Sequence, residues 1–197
     1  MSNISEILTF NQSFVENREY EQYRTTRFPD KKMVIVTCMD TRLTELLPKA
    51  LNLRNGDAKI IKNAGAIVTQ PFGNIMRSVL VAIYELNADE VLVIAHHECG
   101  MTGLNPEQVV SHMVERGIPD NTISTLRNSG VNLMRWLTGF DTVHESVENS
   151  VKIVSNHPLL PANIPVHGLI IHPETGKLEL VIDGYEELKR KSGSNEQ

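Results

Sequence analysis

Two short segments combine residue types that do chemistry together. Cys38-Met39-Asp40-Thr41-Arg42 follows the β-branched run 33–37, and His96-His97-Glu98-Cys99-Gly100 follows the apolar run 91–95. Two thiolates and one imidazole are a set used at catalytic zinc sites, where three protein ligands leave the fourth tetrahedral position to water. The spacing His96-x-x-Cys99 makes a short chelating turn. His97 is separated from Cys99 by a single residue, so His96 is the expected ligand and His97 is expected to point elsewhere. If strand alternation continues past Cys38, residues 38, 40 and 42 share one side, which sets a carboxylate and a guanidinium beside the metal. The Arg42 fork would then orient Asp40 and keep it ionised, ready to accept a hydrogen bond from a metal-bound water or hydroxide.

Each residue alone has a plainer reading. Free cysteines are often small buried hydrophobes, a histidine is usually a hydrogen-bonded residue, and Asp-x-Arg is usually an ordinary ion pair. A Cys38–Cys99 bridge or thiol switch is a further reading, disfavoured in a reducing compartment and by the adjacent His96 and Asp40. The conjunction of all five residues favours a metal. Glu98 reads equally as a support for the site or as a solvated loop carboxylate. His97 is the nearest candidate for moving protons, while His112, His144, His157, His167 and His172 are scattered and expected to be solvated or hydrogen-bonded. The Gly65 and Gly73 loops lack a following Lys-Ser/Thr, so nucleotide binding is unsupported.

The elements that must position these residues follow from periodicity. Short apolar runs near 33–37, 58–62, 91–95 and 166–171 alternate with helical segments, the pattern of a parallel sheet covered by helices. In such sheets, ligands gather at the carboxyl ends of the strands, where both cysteines lie. His172 to Lys177 supplies turn residues before the run 178–182, predicting a hairpin and an antiparallel edge strand. Residues 43–51 form a short helix candidate, and Ile75 to Leu86, apolar around most of its circumference, predicts a buried helix. Asn105-Pro106-Glu107-Gln108 and Thr142-Val143-His144-Glu145 read as capped helix starts. Ile4, Ile7, Leu8, Phe14 and Val15 mark an amphipathic arm within residues 1–25, and 189–197 reads as a frayed tail. The absence of repeats and linkers makes a single domain over 1–197 the economical reading.

Composition narrows the function. The 197 residues include 19 Lys+Arg against 24 Asp+Glu, for a net charge of −5, with 41% hydrophobic and 22% charged residues. That balance suits a globular protein and offers no basic footprint for nucleic acid. No apolar run approaches the roughly 18–20 residues that span a bilayer. The first residues resemble neither a secretory signal nor a transit peptide, so a cytoplasmic protein is expected.

Cys38-x-Asp40-x-Arg42, His96-x-x-Cys99-Gly100 and Lys62-Asn63-Ala64-Gly65 together resemble the β-class carbonic anhydrases, particularly the shorter bacterial and plant-like members. The likeness runs from about residue 31 through 182. It implies one Zn2+ per subunit on Cys38, His96 and Cys99, with Asp40 and Arg42 as the catalytic pair. It also implies a substrate-pocket loop at Asn63, Ala64 and Gly65. In some members the aspartate becomes a fourth metal ligand and closes the site. The implied α/β fold has three layers and a mostly parallel sheet in the order 2-1-3-4-5, with the last strand antiparallel and an N-terminal arm embracing a second subunit in a homodimer or dimer of dimers.

The implied reaction is reversible hydration of carbon dioxide to bicarbonate and a proton by zinc-bound hydroxide. Two thiolate ligands should make the bound water less acidic than an all-histidine set would, so activity is expected to rise toward alkaline pH. Met101 stands where many members carry a second glycine, which motivates an alternative in which the same site hydrolyses carbonyl sulfide or carbon disulfide. A second alternative is a non-catalytic zinc-binding regulatory protein, permanently closed by Asp40.

Overall fold

The computed structural model describes residues 2–193. Five strands form one sheet: β1 (Met33–Cys38), β2 (Ala58–Asn63), β3 (Glu90–His96), β4 (Val166–Ile171) and β5 (Leu178–Ile182), in the order β2-β1-β3-β4-β5. The first four are mutually parallel and β5 is antiparallel to β4, as expected.

The apolar runs of β1, β3 and β4 are nearly continuous because both faces of the sheet are covered there, whereas the edge strand β2 buries none of its residues. On one face Val34, Val36, Val91 and Val93 pack against Met76, Val79 and Ala82 of α3 (Asn74–Tyr84) and Val147, Val151 and Val154 of α7 (Val143–Ser155). On the other, Ile35, Leu92, Ile94 and Ile171 pack against Leu43 and Leu47 of α2 (Leu43–Ala50). Burying such side chains contributes about 1.5–3 kcal/mol each, so the two apolar layers bind the sheet to its helices. Gly168 lets α7 lie close on β4, since a Cβ there would stand 2.6 Å from Val147 Cγ1.

Several boundaries depart from expectation. The helix expected at 75–86 buries only one face, with Val81 and Tyr84 exposed. Asn105 caps α4 (Pro106–Glu115) by accepting from the Glu107 backbone N–H at 2.8 Å, a side chain–backbone turn rather than a capping box with Gln108. Two short helices without a sequence signal, α5 (Asp120–Asn128) and α6 (Leu133–Leu137), fill the crossover before α7. Residues 189–193 continue α8 (Gly184–Gly193), where Lys189–Glu186 and Arg190–Glu187 ion pairs bridge successive turns. The rest of the expected tail lies outside the described residues.

The amphipathic arm forms α1 (Asn3–Glu16), capped by Ser2, but none of its residues is buried. Ile4, Ile7, Leu8 and Phe10 stay exposed, while Phe14 stacks on Tyr23 of the following 3-10 turn. Among the described residues, no helix is long and apolar enough to cross a membrane.

Candidate metal centre

Strand register brings the chemistry together. Cys38 ends β1 opposite Asn63 of β2, and His96 ends β3 opposite Ile171 of β4. Thr37, fully buried, donates its hydroxyl to the Ile94 carbonyl at 2.9 Å, locking β1 to β3 immediately before the two strand ends. The ligand atoms of Cys38, His96 and Cys99 all lie within 4.8 Å of one another, and all three residues are buried. The two sulfurs are 3.9 Å apart and the cysteines are free, so no disulfide joins them.

The fit to a metal rests on His96. Its Nδ1 faces the His97 carbonyl at 2.8 Å, which places the ring proton on Nδ1 and leaves Nε2 as a lone-pair donor. That Nε2 is buried without a hydrogen-bond partner. A buried polar nitrogen beside two thiols is costly unless something accepts its lone pair, and a borderline-soft cation does so.

The Cys38 sulfur is prepared for negative charge. Its pKa is lowered to about 4, first by donation from the Cys99 thiol and then by the backbone N–H groups of Asp40 and Gly65, against the opposing effect of burial. Cys99 is pushed up in consequence, since it carries the proton that the pair shares. Gly65 is required here: its φ of 76° favours glycine, its N–H reaches the Cys38 sulfur at 3.3 Å, and a Cβ would meet Ile67 and Met101 side-chain atoms at 3.0 Å. Asn63 steadies the same loop by donating its side-chain amide to the Ile67 carbonyl at 2.7 Å.

Asp40 and Arg42 meet, but not by strand alternation. The strand ends at Cys38, and Asp40 opens a turn in which its Oδ1 accepts the Arg42 backbone N–H at 2.9 Å. The guanidinium then forks onto the same carboxylate, Nε to Oδ1 at 3.1 Å and Nη2 to Oδ2 at 2.9 Å. This guanidinium holds Asp40 far below the usual carboxylate range, at about 2. Asp40 Oδ2 lies 3.7 Å from His96 Nε2, on the rim of the three-ligand group.

In the sequence Glu98 reads equally as a support for the site or as a solvated carboxylate. Arg42 also reaches Glu98 Oε2 and the Glu98 carbonyl, each at 3.3 Å, and so ties the Cys38 segment to the His96–Cys99 turn. Glu98 adopts a left-handed φ of 56°, which bends the turn back toward Arg42. Glu179 was missed entirely: it meets His97 and His144 at the same end of the sheet, and only the β4–β5 pairing shows it. A cavity of 840 Å³ between α7 and α8, lined by Lys152, His157 and Leu188 among others, contains none of the metal-centre residues.

The carbonic anhydrase family model matches residues 33–178, which span every strand start and all the residues of this centre. The chain belongs to the β-carbonic anhydrase family. It is 61% identical over 186 residues to "Putative carbonic anhydrase YvdA" of Bacillus subtilis, covering 94% of each chain. The crystal structure of β-carbonic anhydrase isoform I from Trichomonas vaginalis superposes with a TM-score of 0.84 at 35% identity, covering 94% of this chain and 100% of that one. A carbon disulfide hydrolase of Acidithiobacillus thiooxidans is 29% identical over 159 residues, 76% of each chain. The relatives of this chain thus carry two different names, carbonic anhydrase and carbon disulfide hydrolase.

Proposed function

We propose that this chain is a zinc-dependent enzyme that interconverts carbon dioxide and bicarbonate. The observation that carries the reading is a compact Cys38–His96–Cys99 donor set with an ionised, arginine-held carboxylate 3.7 Å from its imidazole. Zinc held by these three residues supplies a Lewis acid that makes water acidic enough to serve as a nucleophile near neutral pH.

The protein residues do the rest. Asp40 is an acceptor only, so whatever approaches it must have a hydrogen to donate; a water molecule does, and its remaining lone pair is then aimed outward at the substrate carbon. Arg42 occupies both Asp40 oxygens, which supports the open arrangement over one where Asp40 becomes a permanent fourth ligand. The Asn63-Ala64-Gly65 loop walls the substrate side, with the Gly65 N–H stabilising the Cys38 thiolate. A cytoplasmic setting suits thiolate ligands that must stay reduced. The uncovered apolar face of α1 suits an arm lying on a second copy in a homodimer or dimer of dimers, and trimming residues 1–16 should then lower the mass measured by light scattering.

The test is zinc content together with stopped-flow carbon dioxide hydration from about pH 6.5 to about 9 on one sample. Stoichiometric zinc with turnover rising at higher pH is expected; stoichiometric zinc without turnover at any pH overturns the assigned reaction. Carbon disulfide hydrolysis is the second reading, favoured by the relative at 29% identity and by Met101 packing close to the Gly65 position. Rates on carbon dioxide, carbonyl sulfide and carbon disulfide measured side by side decide between them.

A further inference from the structure

Three of the histidines that are scattered in sequence converge on one side of the sheet's carboxyl end. His97 follows β3, His172 follows β4, His144 lies in the first turn of α7, and Glu179 sits on β5. Parallel pairing sets His97 beside His172, with ring centroids 6.1 Å apart, and His144 lies 6.5 Å from His97 on the other flank. The Glu179 carboxylate sits between two imidazoles: its Oε1 is 2.9 Å from His144 Nε2 and its Oε2 3.8 Å from His97 Nε2.

We infer that His97, His144 and Glu179 form a second, solvent-facing site for a divalent transition cation such as Ni2+ or Zn2+, separate from the Cys38–His96–Cys99 centre. Two ligand atoms that share an ion at about 2.0–2.2 Å stand roughly 3–3.5 Å apart, and the two nitrogen–oxygen separations bracket that spacing. Imidazole and carboxylate donors without sulfur suit borderline divalent ions. Among the described residues only the cysteine–histidine group already has all its ligand atoms within 4.8 Å. The second site closes by side-chain rotation, which is open to residues whose side chains are 38–49% exposed. His172 is a neighbour rather than a ligand: its Nδ1 accepts the Glu174 backbone N–H at 3.3 Å, which places the proton of the neutral ring on Nε2. Half-exposed ligands with water completing the shell imply reversible binding rather than a permanently held ion.

The test uses the full chain without an affinity tag, its first centre loaded with zinc, titrated with Ni2+ by calorimetry. One further saturable equivalent is expected, weakened at least tenfold by His144→Ala and by Glu179→Gln and unchanged by His112→Ala, which alters a histidine on α4. Co2+ offered to the same zinc-loaded protein should give absorption from nitrogen and oxygen ligation without a sulfur charge-transfer band. No saturable equivalent, an equivalent that survives His144→Ala undiminished, or a bound equivalent of Co2+ accounted for wholly by a cobalt–thiolate band as it displaces zinc from Cys38 and Cys99 each overturns the site.

Discussion

His96 and His97 are adjacent in sequence and opposite in circumstance. His96 is 1% exposed, its Nδ1 satisfied by a carbonyl and its Nε2 left bare among two thiols. His97 stands at the solvent edge, sharing a carboxylate with His144. The contrast shows how environment, rather than residue type, sets the role of an imidazole. A buried nitrogen with no partner is costly until an ion takes its lone pair, so the inner group suits a tightly held ion. An exposed imidazole is solvated when empty, so ions at the outer group come and go.

The largest effect expected from breaking this contrast is at the inner centre. Cys38→Ser or Cys99→Ser replaces a thiolate by a hydroxyl that stays protonated. Zinc retained after dialysis against a chelator should fall from about one equivalent to near none, and activity with it. Retention of tightly held zinc by either variant would remove that cysteine from the ligand set.

Asp40→Asn should keep the metal and lose about 10²–10⁴-fold in kcat, because the amide also donates and no longer selects a donor-bearing ligand. Full turnover in that variant would leave Asp40 without its role. Arg42→Gln should cost about 10- to 100-fold, the range for groups that orient those around a metal. Glu98→Gln, which loosens Arg42 without unseating it, should cost less than Arg42→Gln; a larger loss would mean that Glu98, not Arg42, governs the carboxylate.

The smallest effect is on stability against acid. Asp40 has a folded pKa of about 2 against an ordinary value of 3.8, so its contribution is present in full above that ordinary value and is lost as pH falls through the folded one. Melting temperatures of the parent and Asp40→Asn should therefore differ most above about pH 4 and converge toward about pH 2. A gap that stays constant across that window would show that the ion pair does not hold the carboxylate down.

Much of the inner centre was legible beforehand because strand ends are read directly from apolar runs. Cys38 and the His96–Cys99 turn each follow such a run, and in a parallel sheet adjacent strand ends are near in space. The pairing of Asp40 with Arg42 was also anticipated, though for a different reason: an Asx turn and a guanidinium fork bring them together, not continued strand alternation. The helices α5 and α6 left little mark, being short and weakly periodic. The end of α8 has no apolar period to announce it, because its turns are linked by ion pairs on a polar surface.

By itself, then, the sequence determined the donor types, the order of strands and helices along the chain, and the placing of both cysteines after strands. Those are local properties, set by side-chain chemistry and by periods of two and 3.6 residues. Only the tertiary structure decided that Gly65 donates to Cys38, that Arg42 bridges Asp40 to Glu98, and that His97 and His144 meet across Glu179. Those contacts depend on register between strands and on the seating of α7, which join residues far apart in the chain and leave no trace in any local pattern.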